Sequence, residues 1–71
     1  MTSNNTLTYI ADHLRRARQK QHMTQAEVAE KAGISTNFYA RIERGETGTS
    51  ILILESIIKA LKTKSGQILP F

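Results

Sequence analysis

The sequence contains no cysteine, a single proline and only four aromatic residues. Without cysteine, a disulfide scaffold and a thiolate metal site are both excluded. Four aromatic side chains are too few for a platform of exposed rings that stacks on single-stranded nucleic acid. The longest apolar run, from Ile51 to Leu54, is far shorter than a membrane span. We therefore expect a globular protein that does not span a membrane.

The size and charge of the chain further limit the class of protein and the kind of partner. The chain has 71 residues and a formal net charge of +4, with a pI of about 9.9. A chain of this length forms one domain with a marginal core, so pairing with a second copy would stabilise it. The positive balance suits a polyanion, either nucleic acid or an acidic membrane surface. The first residues, MTSNNT, lack a secretory pattern, and we expect the protein in the cytosol.

Helix signals dominate the chain. Apolar residues recur every three to four positions at Leu7, Ile10, Leu14 and Ala17, which describes one face of a helix. A later helix repeats the pattern with the core stripe Ile51, Leu54, Ile57 or Ile58, and Leu61. The sequence predicts an all-α domain over residues 6–71, preceded by a flexible tail at 1–5. Its five helices are predicted at about 6–21, 25–32, 36–44, 50–61 and 65–69.

The second and third predicted helices have well-marked ends. Thr24 and Glu27 have the spacing of a capping box, in which each side chain bonds the other residue's amide. Gly33 can adopt the positive φ that ends a helix, and Ser35 follows as the cap of the next one. Gly45 ends that third helix. Two short helices joined by a tight glycine turn describe a helix-turn-helix.

The third helix carries side chains suited to reading DNA bases. Its core-facing residues are Ile34, Tyr39 and Ile42, with Phe38 at the border. Its predicted outward residues are Thr36, Asn37, Ala40, Arg41 and Arg44. Arg41 can bond guanine O6 and N7, and Asn37 can bond adenine N6 and N7. Thr36 can bond a base or touch a thymine methyl, and the small Ala40 lets the backbone come close.

A resemblance rests on the run TQAEVAEKAGIS followed by RIERGE. The stretch from LRRARQKQHM to RIERGE is similar to the phage repressor and Cro type of helix-turn-helix, the Xre family. With weaker agreement in SILILESIIKAL, the similarity covers residues 10–69. It implies a compact five-helix domain like that of the lambda repressor. It also implies a sequence-specific DNA-binding protein.

The resemblance assigns roles to further residues. It implies that Gln25, at the start of the second helix, contacts a DNA phosphate and supports the recognition helix, and that Thr24 shares the contact. Helix N-termini favour anions, which agrees with this role. We also expect Ser35, Phe38 and Arg44 to face phosphates. The family's pairing of an arginine with a glutamate falls here on Arg18 and Glu43, as a structural ion pair.

The chain departs from the family pattern at three places. His22 stands where glycine is usual, and Tyr39 replaces an aliphatic core residue, so its hydroxyl must reach a partner or the surface. Leu52 and Ile53 stand where polar residues are common, and two large apolar side chains outside the core would be a liability on a monomer. Together with Leu69 and Phe71 they predict a dimer interface. A two-fold dimer would present its recognition helices about 34 Å apart.

Catalytic and metal sites find no support in the sequence. His13 and His22 have no carboxylate or thiol partner at ligand spacing, and Ser35 has no base to activate it. We expect no enzyme activity, no metal, no cofactor, no small-molecule ligand and no membrane partner. A less favoured hypothesis makes Glu30 an acidic contact to RNA polymerase.

Two functional hypotheses follow. The first is a homodimeric transcriptional regulator on a near-palindromic operator, in particular a Cro-like repressor or an autoregulatory controller of a restriction–modification system. The second is an antitoxin-type protein-interaction module that binds DNA secondarily. A neighbouring toxin gene, or co-purification of another small protein, would favour the antitoxin-type module.

Overall fold

A computed structural model describes residues 3–61, with side chains from residue 6 onward. Over this range the chain forms four helices and no strand: α1 (Ser3–Lys20), α2 (Gln25–Ala32), α3 (Thr36–Glu43) and α4 (Ile51–Leu61). Helix α1 begins three residues before the predicted start, so it includes part of the predicted tail. The bounds of the other three helices agree with the prediction to within one residue. The fifth predicted helix, at 65–69, lies outside the described residues.

Side-chain caps account for where α2, α3 and α4 begin. The Thr24 hydroxyl accepts from the Glu27 amide at 3.0 Å, while the Glu27 carboxylate accepts from the Thr24 amide at 2.7 Å. The Ser35 hydroxyl accepts from the Phe38 amide at 3.0 Å, and the Ser50 hydroxyl accepts from the Ile53 amide at 3.1 Å. Each bond satisfies an amide that has no partner within its helix.

Two left-handed residues shape the turns around α2. Gly33 ends α2 with φ of 75°. Glycine adopts this conformation without steric penalty because it has no Cβ. His22, in the turn between α1 and α2, has φ of 57° although it carries a side chain. The position therefore needs the backbone that glycine adopts most easily, and His22 holds it under strain.

The core lies where all four helices meet. Its buried residues are Leu14, Val28, Ala29, Tyr39, Ile42, Leu54, Ile57, Ile58, Ala60 and Leu61. Both candidate isoleucines of α4, Ile57 and Ile58, are buried. The prediction that Ile51 belongs to the core stripe was wrong, since Ile51 is 63% exposed. As the first residue of α4, Ile51 lies before the part of the helix that packs on α2, and the buried stripe starts at Leu54.

Tyr39 is fully buried, and its hydroxyl makes no hydrogen bond of good geometry with the described residues. The hydroxyl lies near Arg18 and Glu43, and burial is the main reason that the pKa of Tyr39 is raised far above its ordinary value. The hydroxyl therefore stays away from the surface and lies beside polar partners, Glu43 and Arg18, without a hydrogen bond of good geometry to either. The aromatic ring fills the core at the expense of a poorly satisfied polar group.

None of the helices formed by residues 3–61 combines the length and the apolar character that crossing a membrane requires.

Candidate nucleic-acid interface

Helices α2 and α3 pack against each other across the turn at Gly33 and Ile34. Within α3, Tyr39, Ile42 and Glu43 face inward and are buried. The side chains left exposed by this packing are Thr36, Asn37, Arg41 and Arg44. Among the described residues, neither Thr36 nor Asn37 has a side-chain hydrogen-bond partner, so both can bond an outside molecule.

Ala40 does not share this open side of α3. Only 9% of the residue is exposed, so its predicted outward position was wrong. Ala40 lies one turn before Glu43, whose carboxylate binds Arg18 of α1. The side of α3 that contains Ala40 therefore turns toward α1, and the exposed strip of α3 is narrower than the sequence predicted.

Two exposed arginines at the end of α3 share one carboxylate: Arg41 lies in its last turn and Arg44 follows its last residue. Arg44 binds Glu46 through two hydrogen bonds, Nε to Oε2 at 2.7 Å and Nη2 to Oε1 at 3.1 Å. Arg41 Nε lies 3.9 Å from Glu46 Oε1. The hydrogen bond from Arg44 is the main cause that lowers the pKa of Glu46. Sequence reasoning missed Glu46, although its position two residues after Arg44 and beyond a glycine was a usable signal.

Four of the five predicted phosphate contacts, Thr24, Gln25, Ser35 and Phe38, lie at the starts of α2 and α3, while Arg44 lies at the end of α3. Thr24 and Ser35 use their oxygens as caps, which leaves each hydroxyl hydrogen free to donate. The only donor of Phe38, its amide, goes to Ser35, and its ring packs against the core. Phe38 therefore has no donor to spare for a phosphate.

The side-chain amide of Gln25 makes a hydrogen bond within the protein. Its Nε2 donates to Glu43 Oε1 at 3.0 Å, which connects the start of α2 to the end of α3. This bond connects Gln25 directly to α3. It leaves the Gln25 backbone amide and side-chain carbonyl for other partners.

Arg18 and Glu43 form a bidentate ion pair between α1 and α3. Arg18 Nε lies 2.6 Å from Glu43 Oε2, and Nη2 lies 3.1 Å from Oε1. The side chains are 15% and 3% exposed. The hydrogen bond to Glu43 raises the pKa of Arg18. Burial acts to raise the pKa of Glu43, but Arg18, the nearby Tyr39 hydroxyl and the Gln25 amide outweigh it and the pKa is lowered.

The predicted dimer residues divide into three groups. Leu52 is 74% exposed, and its neighbour Ile51 is also open. Ile53 is half-buried and packs against the core, so its predicted place outside the core was wrong. Leu69 and Phe71 lie outside the described residues. The apolar pair on the surface of α4 is therefore Ile51 and Leu52.

No cluster of three or more metal-ligating side chains occurs in the described part of the chain. His13 stacks on Tyr9 with ring centroids 4.2 Å apart, one turn away on α1. Glu30 is exposed on α2.

The comparisons with known proteins agree with this geometry. A helix-turn-helix family profile matches residues 14–68. The restriction–modification controller protein C.AhdI from Aeromonas hydrophila superimposes with a TM-score of 0.85 at 21% identity, covering 89% of this chain and 96% of its own. The clp gene regulator ClgR from C. glutamicum superimposes with a TM-score of 0.85 at 25% identity, covering 89% and 82%.

A third similar structure contains DNA. It is the controller protein C.Esp1396I as a tetramer in complex with its natural 35 base-pair operator. It has a TM-score of 0.81 and 26% identity, and the match covers 86% of this chain and 80% of that one. Comparison with curated protein sequences gives no match.

Proposed function

Because the chain belongs to the Xre-type helix-turn-helix family of DNA-binding proteins, we propose that it is a sequence-specific transcriptional regulator. It reads duplex DNA with the exposed side of α3. The observation that carries this proposal is that Asn37 and Arg41 lie together on that side, uncovered by the protein's own fold. The amide of Asn37 suits adenine and the guanidinium of Arg41 suits guanine, while Thr36 contacts a neighbouring base.

Phosphate contacts flank the base-reading side chains in this proposal. The hydroxyls of Thr24 and Ser35 donate to phosphates at the starts of α2 and α3, where the helix dipoles favour an anion. Arg44 binds a third phosphate. Such contacts set the register of α3 in the groove, and the bases then determine sequence preference.

The proposed regulator acts as a homodimer on a near-palindromic operator. The exposed apolar pair Ile51 and Leu52 supports this, since a small monomer gains nothing from two large apolar side chains in water. We propose that Leu69 and Phe71 extend the same interface. The assembly of C.Esp1396I on its operator supports an oligomer on DNA. The controller-type structural neighbours favour an autoregulatory controller, with Glu30 available for an RNA polymerase contact.

Selection of binding sites from random duplex DNA tests the proposal. The purified chain should enrich one motif that is repeated with two-fold symmetry. The centres of the two half-sites should lie about 10 base pairs, or a multiple of this, apart. Failure to enrich any motif at low salt would contradict the proposal and favour the antitoxin-type interaction module. Enrichment of a single unrepeated motif would keep DNA reading but contradict the two-fold dimer.

A further inference from the structure

Glu46 places a carboxylate beside Arg41 and Arg44, the two exposed cations at the end of α3. Its carboxylate takes two hydrogen bonds from Arg44, at 2.7 and 3.1 Å, and lies 3.9 Å from Arg41. All three side chains are about half exposed, at 53%, 50% and 49% for Arg44, Arg41 and Glu46. In the free protein the two cations of the recognition helix therefore share one negative charge.

The backbone holds Glu46 in place. Its amide donates to the Arg41 carbonyl at 3.0 Å, and the preceding amide of Gly45 donates to the Ile42 carbonyl at 3.0 Å. Gly45 adopts φ of 72°, which turns the chain back over the end of α3. The carboxylate thus belongs to the helix-ending turn itself, and its place beside the arginines follows from that turn.

The two arginines are engaged differently. Arg44 gives Nε and one Nη2 hydrogen to Glu46, so the carboxylate takes the Nε side of the guanidinium and offsets its charge. A phosphate must either displace the carboxylate or bind through the remaining Nη groups beside a negative charge that repels it. Arg41 approaches Glu46 only through Nε, which leaves its two Nη groups as a fork for guanine. The same carboxylate therefore weakens a contact that every DNA sequence offers and steadies one that only some sequences offer.

We propose that Glu46 is a specificity-determining positioning residue of the DNA interface. It lowers affinity for non-cognate DNA by competing with phosphate for Arg44, and it orients Arg41 toward a base. This inference rests on the proposed DNA-reading function. An ion pair as exposed as Arg44–Glu46 adds little to the stability of the fold. A substitution of Glu46 is therefore expected to change DNA binding rather than folding.

The test compares Glu46→Gln with Glu55→Gln, which removes the same charge from an exposed position on α4. Each variant is titrated against a random-sequence duplex pool and against the motif enriched by the wild type, over a range of salt concentrations. We expect Glu46→Gln to bind the random pool about three- to tenfold more tightly at low salt, with a salt slope steeper by about one. On the enriched motif the gain at Arg44 is offset by poorer orientation of Arg41. Affinity should then stay within about twofold of the wild type, and the ratio of specific to random binding should fall.

Glu55→Gln should change both affinities equally and by less than about twofold. In an Arg44→Gln background, Glu46→Gln should lose most of its effect on the random pool, because the competed contact is gone. An equal change of both affinities by Glu46→Gln, or an effect no larger than that of Glu55→Gln, would overturn the role of Glu46 and leave DNA reading intact. A wild type that enriches no motif would instead contradict the proposed function, and the role of Glu46 with it.

Discussion

Arg41 and Asn37 each end in a pair of hydrogen-bonding groups. A single side chain of α3 can therefore distinguish one base from another. A guanidinium fork matches guanine and a carboxamide matches adenine, while a lysine at either place would bind only as a point charge. Both side chains lie on the exposed strip of α3. Individual substitutions there should change which sequence is bound as well as how tightly.

Arg41→Ala should weaken binding to the enriched motif by about 1–3 kcal/mol and relax the preference at one base position. Arg16→Ala is the matched control, since Arg16 is an exposed cation of α1 with a side chain 74% exposed. The control should lower affinity slightly and equally for all sequences. Binding-site selection with both variants measures the difference. Equal loss of affinity on every sequence by Arg41→Ala would show that Arg41 touches only phosphate.

His22 is the residue at which sequence and backbone conformation conflict. Its φ of 57° favours glycine, so His22→Gly should raise the free energy of unfolding by about 0.5–1 kcal/mol, after the entropy that glycine adds to the unfolded chain. Urea unfolding measures the change. Gln21→Gly, one residue earlier and without positive φ, should destabilise and serves as the control. Destabilisation by His22→Gly would show that the histidine side chain makes a contact worth more than the strain.

Among the elements, α1, α2 and α3 are joined by one polar network. Glu43 of α3 accepts from Arg18 of α1 and from Gln25 of α2, and Arg18 also donates to the Met23 carbonyl at 3.0 Å. The network thus determines the orientation of α3 relative to the helices behind it. Because Glu43 is almost fully buried, removal of its charge leaves the Arg18 charge without a partner.

Glu43→Gln should therefore lower the free energy of unfolding by about 3 kcal/mol at neutral pH. In the folded wild type the pKa of the Glu43 carboxyl lies below its ordinary value of 4.5. The stability that the ionised carboxyl contributes is therefore present above pH 4.5 and is lost as the pH falls through the folded value. The wild type should lose this stability below about pH 4.5, and Glu43→Gln should lose much less there. Urea unfolding between neutral and acidic pH measures both effects, with Glu55→Gln as the control. An identical acid loss in wild type and Glu43→Gln would show that other carboxylates are responsible.

At the scale of the whole molecule, a chain of 71 residues offers a small core and an exposed apolar pair. Burying that pair between two copies would stabilise the fold, and the proposed two-fold dimer would present two copies of α3 to DNA. Duplex DNA contacted by two such helices gains affinity from both half-sites. Oligomeric state and operator affinity are therefore expected to change together.

Leu52→Glu should yield a folded monomer with poor affinity for the enriched motif, because a carboxylate at a two-fold interface meets its own copy. Leu52 is the better target than Ile53, which packs partly against the core. Gln19→Glu places the same charge on the exposed end of α1 and should leave the dimer unchanged. Analytical ultracentrifugation measures the state of both variants. A Leu52→Glu variant that stays dimeric would refute this interface.

The helix-turn-helix and its boundaries could be predicted from the sequence because their signals are local. The Thr24–Glu27 capping box, the Ser35 cap and the glycine of the turn each act within one helical turn. Hydrophobic periodicity likewise identified the buried side of α4 from Leu54 to Leu61. The exposure of Thr36, Asn37, Arg41 and Arg44 followed from the same periodicity.

Tertiary packing alone decided the remaining features. Whether Ala40 is covered and which apolar residues of α4 are exposed depends on how neighbouring helices meet, because periodicity gives a face but not its width. The bond from Gln25 to Glu43 joins residues 18 positions apart. The ion pair between Arg44 and Glu46 depends on the path of the chain after Gly45. Local signals therefore determined the elements, while the packing of those elements decided which charges are shared and which are free to meet DNA.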